Sequence, residues 1–233
     1  MEIIRPVPAI WGRTFSPTGE PVTDEFPIGE KADDLIQSNP AVAALPGGGF
    51  MVYWSQQEST ISRRWDVFGQ TFAADGTAAG SAFRVNDYTT GDQFGPKVVA
   101  SADRQFVVWT SVGQDGSREG IYGRQLLSGA LDGGEFRVNT TTVNRQWHPA
   151  LGSDGQGRVF AVWSGFAGAS GLDLYGKKYS APAGTTTASV VPGVIDLNRG
   201  LNSLNSYRPL PPLPVTPLTP QVASVPTPLP GSP

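Results

Sequence analysis

The chain has 233 residues, a formal net charge of −3, 16% charged and 39% hydrophobic residues, 29 Gly, 21 Pro, one His and no Cys. Without cysteine there are no disulfides, no thiolate chemistry and no Cys-ligated zinc or iron–sulfur sites, and a single His leaves no His-rich metal centre. The low charge carries no basic stripe, and no apolar run approaches membrane-spanning length, so neither nucleic-acid binding nor membrane insertion is expected.

The chain opens with "MEIIRPVPAIWG", in which no basic segment leads into an apolar stretch, so no signal peptide is expected. Residues 1–8 read as an N-terminal arm and residues 9–200 as a repeat domain. An aromatic-Gly pair recurs as Trp11-Gly12, Phe68-Gly69, Tyr122-Gly123 and Tyr175-Gly176, at intervals of 57, 54 and 53 residues. Three further markers keep step with it. Pro40, Pro96 and Pro149 each follow a Gln-x-x (Gln37, Gln93, Gln146); Trp54, Trp109 and Trp163 each end an apolar run; Phe26, Phe83 and Phe136 open a segment that ends in Val-Asn in the two later copies. Four markers at one period identify a structural repeat.

Each unit holds four short strand candidates, here named A to D. In the second unit they are "PKVVAS", "QFVVWTS", "GIYGRQLL" and "GEFRVN", rich in β-branched and aromatic residues and separated by turns such as "LPGGG" and "SADR". Asp75-Gly76 and Asp154-Gly155 are hairpin-turn dipeptides. The chain begins with a C–D pair over about residues 9–28 and continues with two complete sets, 41–86 and 96–139. It then has A, B and C over 149–180, with a poor fourth strand in "SVVPGVIDLN". Four strands in a period of about 50 residues are the signature of a propeller blade. The expected fold is therefore all-β: a β-propeller-like array of about three four-stranded blades plus a half blade. The recurring Trp residues are expected in the cores between blades, and the Gly after each aromatic is expected where backbones approach closely.

The residues Val107, Val108, Trp109, Gln114-Asp115-Gly116-Ser117, Ile121-Tyr122-Gly123, Glu135-Phe136 and Val138-Asn139 carry a family resemblance. They resemble the repeats of large secreted or surface-attached bacterial proteins that accompany haemolysin-type calcium-binding arrays and adhesin modules. The resemblance spans about residues 11–180 and implies a structural repeat outside the cell, with no assigned activity. The first unit replaces "QDGS" by "ESTISRRW" and the third by "GFAGASG", so no ion site carries over.

Alternation along each unit puts the short A–B and C–D turns on one edge of the blades and the longer B–C and D–A connections on the other. The long ones differ from copy to copy, as in "SQQESTISRRWD", "SVGQDGSREG" and "SGFAGASGLD", and variable loops on a rigid scaffold are where binding is expected. The candidate rim consists of Arg63, Arg64, Trp65, Tyr88, Asp115, Arg118, Arg145 and Trp147. Arg-Arg-Trp (63–65) and Arg-Gln-Trp (145–147) suit stacking on sugars or anchoring a protein interface. In the structural alternative, Trp65 and Trp147 cap the ends of the core.

Catalytic signatures are weak. His148 is one loop variant beside Asn39 and Gly95; Asp33, Asp34, Asp87, Asp92 and Asp115 show no spacing that marks a glycosidase pair. No run of acids supplies a calcium loop, and no phosphate-binding or nucleophile-elbow motif occurs. No cofactor and no metal are expected.

Residues 201–233 form a Pro-rich tail. Its last 25 residues hold ten prolines and no charge, which is polyproline II composition, and Pro211, Pro214, Pro217 and Pro220 mark overlapping P-x-x-P steps suited to docking on an aromatic groove. Together these features predict a non-enzymatic subunit of a larger extracellular, cell-surface or virion assembly, its tail docked on other protein subunits in a homo- or hetero-oligomer. The alternative is a glycan-binding or adhesin module that uses the rim. A third reading is a propeller glycosidase with an incomplete ring.

Overall fold

The computed structural model describes residues 9–30, 35–57, 64–101, 103–166, 171–180 and 193–196. Among them every regular element is a strand, and no helix is long and apolar enough to cross a membrane. Strands β1 (Trp11–Gly12) and β2 (Phe26–Pro27) form a two-stranded half-blade. Blade 1 contains β3 (Ile36–Ala44), β4 (Phe50–Gln57), β5 (Trp65–Phe72) and β6 (Phe83–Arg84). Blade 2 contains β7 (Gln93–Ser101), β8 (Arg104–Val112), β9 (Glu119–Leu127) and β10 (Ala130–Arg137). Blade 3 contains β11 (Gln146–Ser153), β12 (Arg158–Phe166), β13 (Leu172–Ser180) and β14 (Gly193–Asp196). Every neighbouring pair is antiparallel and every sheet runs in chain order, as a meander requires. The predicted all-β array of three four-stranded blades and a half blade is present, and the weak fourth strand of blade 3 is β14. The tail, with Pro211, Pro214, Pro217 and Pro220, lies outside the described residues, as do residues 1–8.

Period-2 alternation buries both faces of the inner blades. On β4, Trp54 joins Ile10, Ile28 and Val52 against the half-blade, while the adjacent Tyr53 joins Trp109, Val85 and Tyr122 against blade 2. Trp163 packs with Phe106, Val108 and Ile121 between blades 2 and 3. Trp54 and Trp109 are 0% exposed and Trp163 2%, so all three are core residues rather than ligand contacts. Fully burying one such side chain is worth about 1.5–3 kcal/mol, which ties each blade to the next.

The inner strands start earlier than the sequence predicts. Each begins at or just before the recurring Gln and crosses the Pro through a β-bulge, with register shifts at Ser38/Ala41, Phe94/Lys97 and Trp147/Ala150. The residue before each Pro is left-handed: Asn39 at φ 54°, Gly95 at 67° and His148 at 53°. A bulge lets a strand carry Pro without orphaning a ladder hydrogen bond, so the periodic Pro marks a bend inside the strand rather than its start.

The other markers also have local causes. Val85 and Val138 donate their amides to the backbone oxygens of Val67 and Ile121, and the following Asn extends the ladder with its side chain. Asn86 Oδ1 accepts from the Val67 amide and Asn139 Oδ1 from the Ile121 amide, each at 2.7 Å. The Gly after the aromatic makes room for a ring at Gly12, Gly69 and Gly176, and for the Val107 backbone oxygen, 2.9 Å from a Cβ on Gly123, in the remaining copy. A Cβ on Gly69 would lie 3.1 Å from the Tyr53 ring, and one on Gly176 would lie 2.7 Å from Phe160.

Candidate functional site

The rim where strands B end, C begin, D end and A begin gathers the candidate residues into two groups, one in each cleft between blades. In the cleft of blades 1 and 2, Tyr88 and Asp115 flank Glu135, a carboxylate that the sequence marks only as part of the repeat and not as a rim candidate. Glu135, on β10, accepts hydrogen bonds from the amides of Asp87 and Tyr88, at 2.9 and 3.1 Å, and from the side chain of Gln114. Asp115 Oδ1 accepts from the Ser117 amide and its Oδ2 from Asn139 Nδ2, at 3.1 and 3.3 Å. Burial, reinforced by the Asp115 charge, raises the Tyr122 phenol above its ordinary pKa. These acids are held mainly by the protein itself, so they clamp loops.

The cleft of blades 2 and 3 is built differently. Arg145, at the end of the connection into β11, has its Nε 3.2 Å from Glu119 Oε2 at the start of β9. The same guanidinium lies 5.2 Å from the centroid of the Trp147 ring. Phe166 meets Trp147 edge-on at 5.9 Å and 87°, and His148 lies against it at 5.6 Å. Trp147 is only half-buried, and the buried Glu119 Oε2 and Arg145 Nε make no hydrogen bond beyond their ion pairing among the described residues. The result is an aromatic surface bordered by a cation and an anion, a pairing of apolar face and polar fork that suits a polyhydroxylated ligand. A Cβ on Gly120 would lie 2.8 Å from Asp115 Oδ2, so the Asp115 carboxylate sits on the face of β9 shared with Tyr122, opposite the face that carries Glu119.

Of the predicted rim, the structure brings Arg145 and Trp147 into direct contact and puts Tyr88 and Asp115 around the other cleft. Arg118 and Arg64 are exposed, and Arg63 lies outside the described residues. The Trp65 amide donates to Asp92 Oδ1 at 3.1 Å, so Trp65 opens β5 where blade 2's entry loop crosses it. Glu119 and Phe166 were missed because they sit at strand ends inside variable loops, where no marker of the repeat falls. Asp33 and Asp34 lie outside the described residues; among those described, no group of three or more His, Cys, Asp or Glu could hold a metal ion.

No family model matches the chain, and no curated protein matches it. Solved structures to which it is similar include an endo-arabinase from Bacteroides thetaiotaomicron VPI-5482, at 12% identity over 68% of this chain and 61% of that one, with a TM-score of 0.44. An α-L-arabinofuranosidase from Lactobacillus brevis gives 11%, 69%, 55% and 0.46. Zg3597, a family 117 glycoside hydrolase of the marine bacterium Zobellia galactanivorans, gives 9%, 82%, 61% and 0.47. The chain thus spans less than two thirds of each of these proteins. These neighbours are glycoside hydrolases, so the sequence-based expectations of a non-enzymatic assembly subunit and of no enzymatic activity are withdrawn.

Proposed function

We propose that the chain engages carbohydrate at the rim between blades 2 and 3, as a glycan-binding β-blade module facing extracellular polysaccharide. One contact set carries this reading: Glu119, Arg145 and Trp147 touch in sequence across two blades, joining an aromatic platform to a charged pair. A sugar offers a C–H face to the indole and hydroxyls to the carboxylate and guanidinium, so both halves of the cluster find a partner in one ligand. The test is affinity electrophoresis on a polysaccharide panel that includes arabinan and xylan. Trp147→Ala and Arg145→Met are expected to lower retardation at least tenfold while near-UV circular dichroism stays unchanged. Retardation equal to wild type in both variants overturns the reading.

A further inference from the structure

The three complete blades act as internal controls for the half-blade. Two residues beyond the recurring Pro, each inner strand carries an apolar residue that faces the preceding sheet: Val42 on β3, Val98 on β7 and Leu151 on β11. Val98 packs against the cluster that contains Met51 and Tyr53, and Leu151 against the one that contains Phe106 and Val108. Val42 is 64% exposed. It lines a cavity of about 330 Å3 with Ala41, Phe50, Val52, Ile10 and Gly12. The reason lies in the strand count. The half-blade pairs β1 with β2 through Gly12↔Phe26, as β5 pairs with β6 through Gly69↔Phe83, so it corresponds to the outer half of a blade. The described residues include no counterpart of β3 and β4 in front of it.

We propose that this face takes a two-stranded antiparallel hairpin of the inner, β3–β4 type, supplied by a polypeptide that carries one more inner half of this repeat. Such a hairpin completes the first sheet to four strands and covers Val42. Its chemistry is fixed by the interface it continues: a bulged Gln-x-x-Pro strand, then a β-branched and aromatic strand whose residues at the Met51 and Tyr53 positions face Val42 and Val52 as those two face Val98. Adding strands at a sheet edge couples main-chain hydrogen bonding with pockets for alternate side chains, so register and specificity come together.

The probe is a fluorescent peptide of residues 36–57, added to the full chain and followed by anisotropy. Saturable binding is expected, weakened at least tenfold by Val42→Lys and not reproduced by a peptide of the outer strands, residues 65–84. A free hairpin is marginally stable in water, so the same residues are also fused in front of residue 9 through residues 58–64. The fusion is expected to raise the thermal midpoint, and Val42→Lys to erase the rise. No binding combined with an unchanged midpoint overturns the proposal. So does equal binding of the outer-strand peptide, or indifference to Val42→Lys. A dimer of the full chain that Val42→Lys dissolves assigns the face to a second copy and overturns it as well.

Discussion

Arg124, on β9, reaches across to blade 1 and donates to Asp87 Oδ1 at 2.8 Å while also hydrogen-bonding the Val85 carbonyl oxygen at 2.9 Å. The same site recurs at every junction. Gln70 accepts from the Gly29 amide of the half-blade at 2.9 Å, and Lys177 donates to the Val138 carbonyl oxygen at 3.2 Å. A long polar side chain on strand C therefore ties each blade to the outer strand before it. Among the described residues, Arg124 alone of the three pairs with a carboxylate; at the position matching Asp87, the junction to Lys177 has Thr140. Lys177 is 8% exposed, and burial, with Arg137 nearby, lowers its pKa below the ordinary lysine value.

A carboxylate at position 140 should therefore relieve Lys177. Thr140→Asp is expected to raise unfolding free energy by about 0.5–1 kcal/mol, the modest range set by an acid that stays partly solvated. Urea denaturation of the variant checks this, and the gain should vanish in a Lys177→Met background. A gain that persists there would come from elsewhere.

Alkali should unfold the protein through its buried tyrosines. Burial raises the pKa of Tyr53, Tyr179 and Tyr122 above the ordinary value of 10.0. The unfolded chain releases these protons near pH 10 while the folded chain holds them. Their contribution to stability is therefore level below pH 10 and falls as pH rises beyond it. Tyr179→Phe, which removes a buried hydroxyl with no hydrogen-bond partner among the described residues, is expected to flatten that slope without a loss at neutral pH. Denaturation midpoints at pH 8 and pH 10.5 measure both. A slope unchanged by the substitution would mean that Tyr179 ionises alike in both states.

The fold was legible because the repeat writes each of its constraints two to four times. Val-Asn recurs since Val85 and Val138 continue a ladder that Asn86 and Asn139 then end, and aromatic-Gly recurs since a ring or, at Gly123, a neighbouring backbone oxygen occupies the space of the missing Cβ. The bulges were not legible, because a Pro in a strand-like run reads as a boundary unless the left-handed residue before it is known. The site was half legible. Arg145 and Trp147 advertise binding by residue type, whereas Glu119 is an ordinary acid until the chain brings Arg145 to it from the next blade. Contacts between repeats leave no mark at the repeat period when only one junction makes them.

The bulge conformation itself can be tested. Asn39, Gly95 and His148 occupy one left-handed position, which Gly and Asn tolerate better than other residues. Asn39→Ala is expected to cost about 1 kcal/mol, and His148→Asn to be neutral or to gain a few tenths, within the range for left-handed strain. Thermal midpoints of the two variants decide it. A loss in His148→Asn comparable to that in Asn39→Ala would show that the imidazole supports Trp147 by more than its backbone shape.

Blades 1 and 2 solve one polar problem unequally. In blade 1, Gln56 Oε1 accepts from Trp54 Nε1 at 3.0 Å and from Gln37 Nε2 at 3.3 Å. The matching residue of blade 2 is Ser111, which accepts from Gln93 Nε2 at 3.4 Å and donates to Gln114 Oε1 at 2.7 Å. Trp109 Nε1 and Gln93 Oε1 then have no protein partner among the described residues. A buried donor left without a partner costs about 1–3 kcal/mol, against about 0.5–1.5 kcal/mol for the hydrogen bond itself. Ser111→Gln, which gives blade 2 the longer acceptor of blade 1, is expected to stabilise by about 1 kcal/mol, and Gln56→Ser to destabilise by about 1–3 kcal/mol. Urea midpoints of the two exchanges measure the same contact from both sides. If Gln56→Ser costs stability while Ser111→Gln gains none, solvent already pairs the Trp109 indole, and the two junctions are equally satisfied by different means.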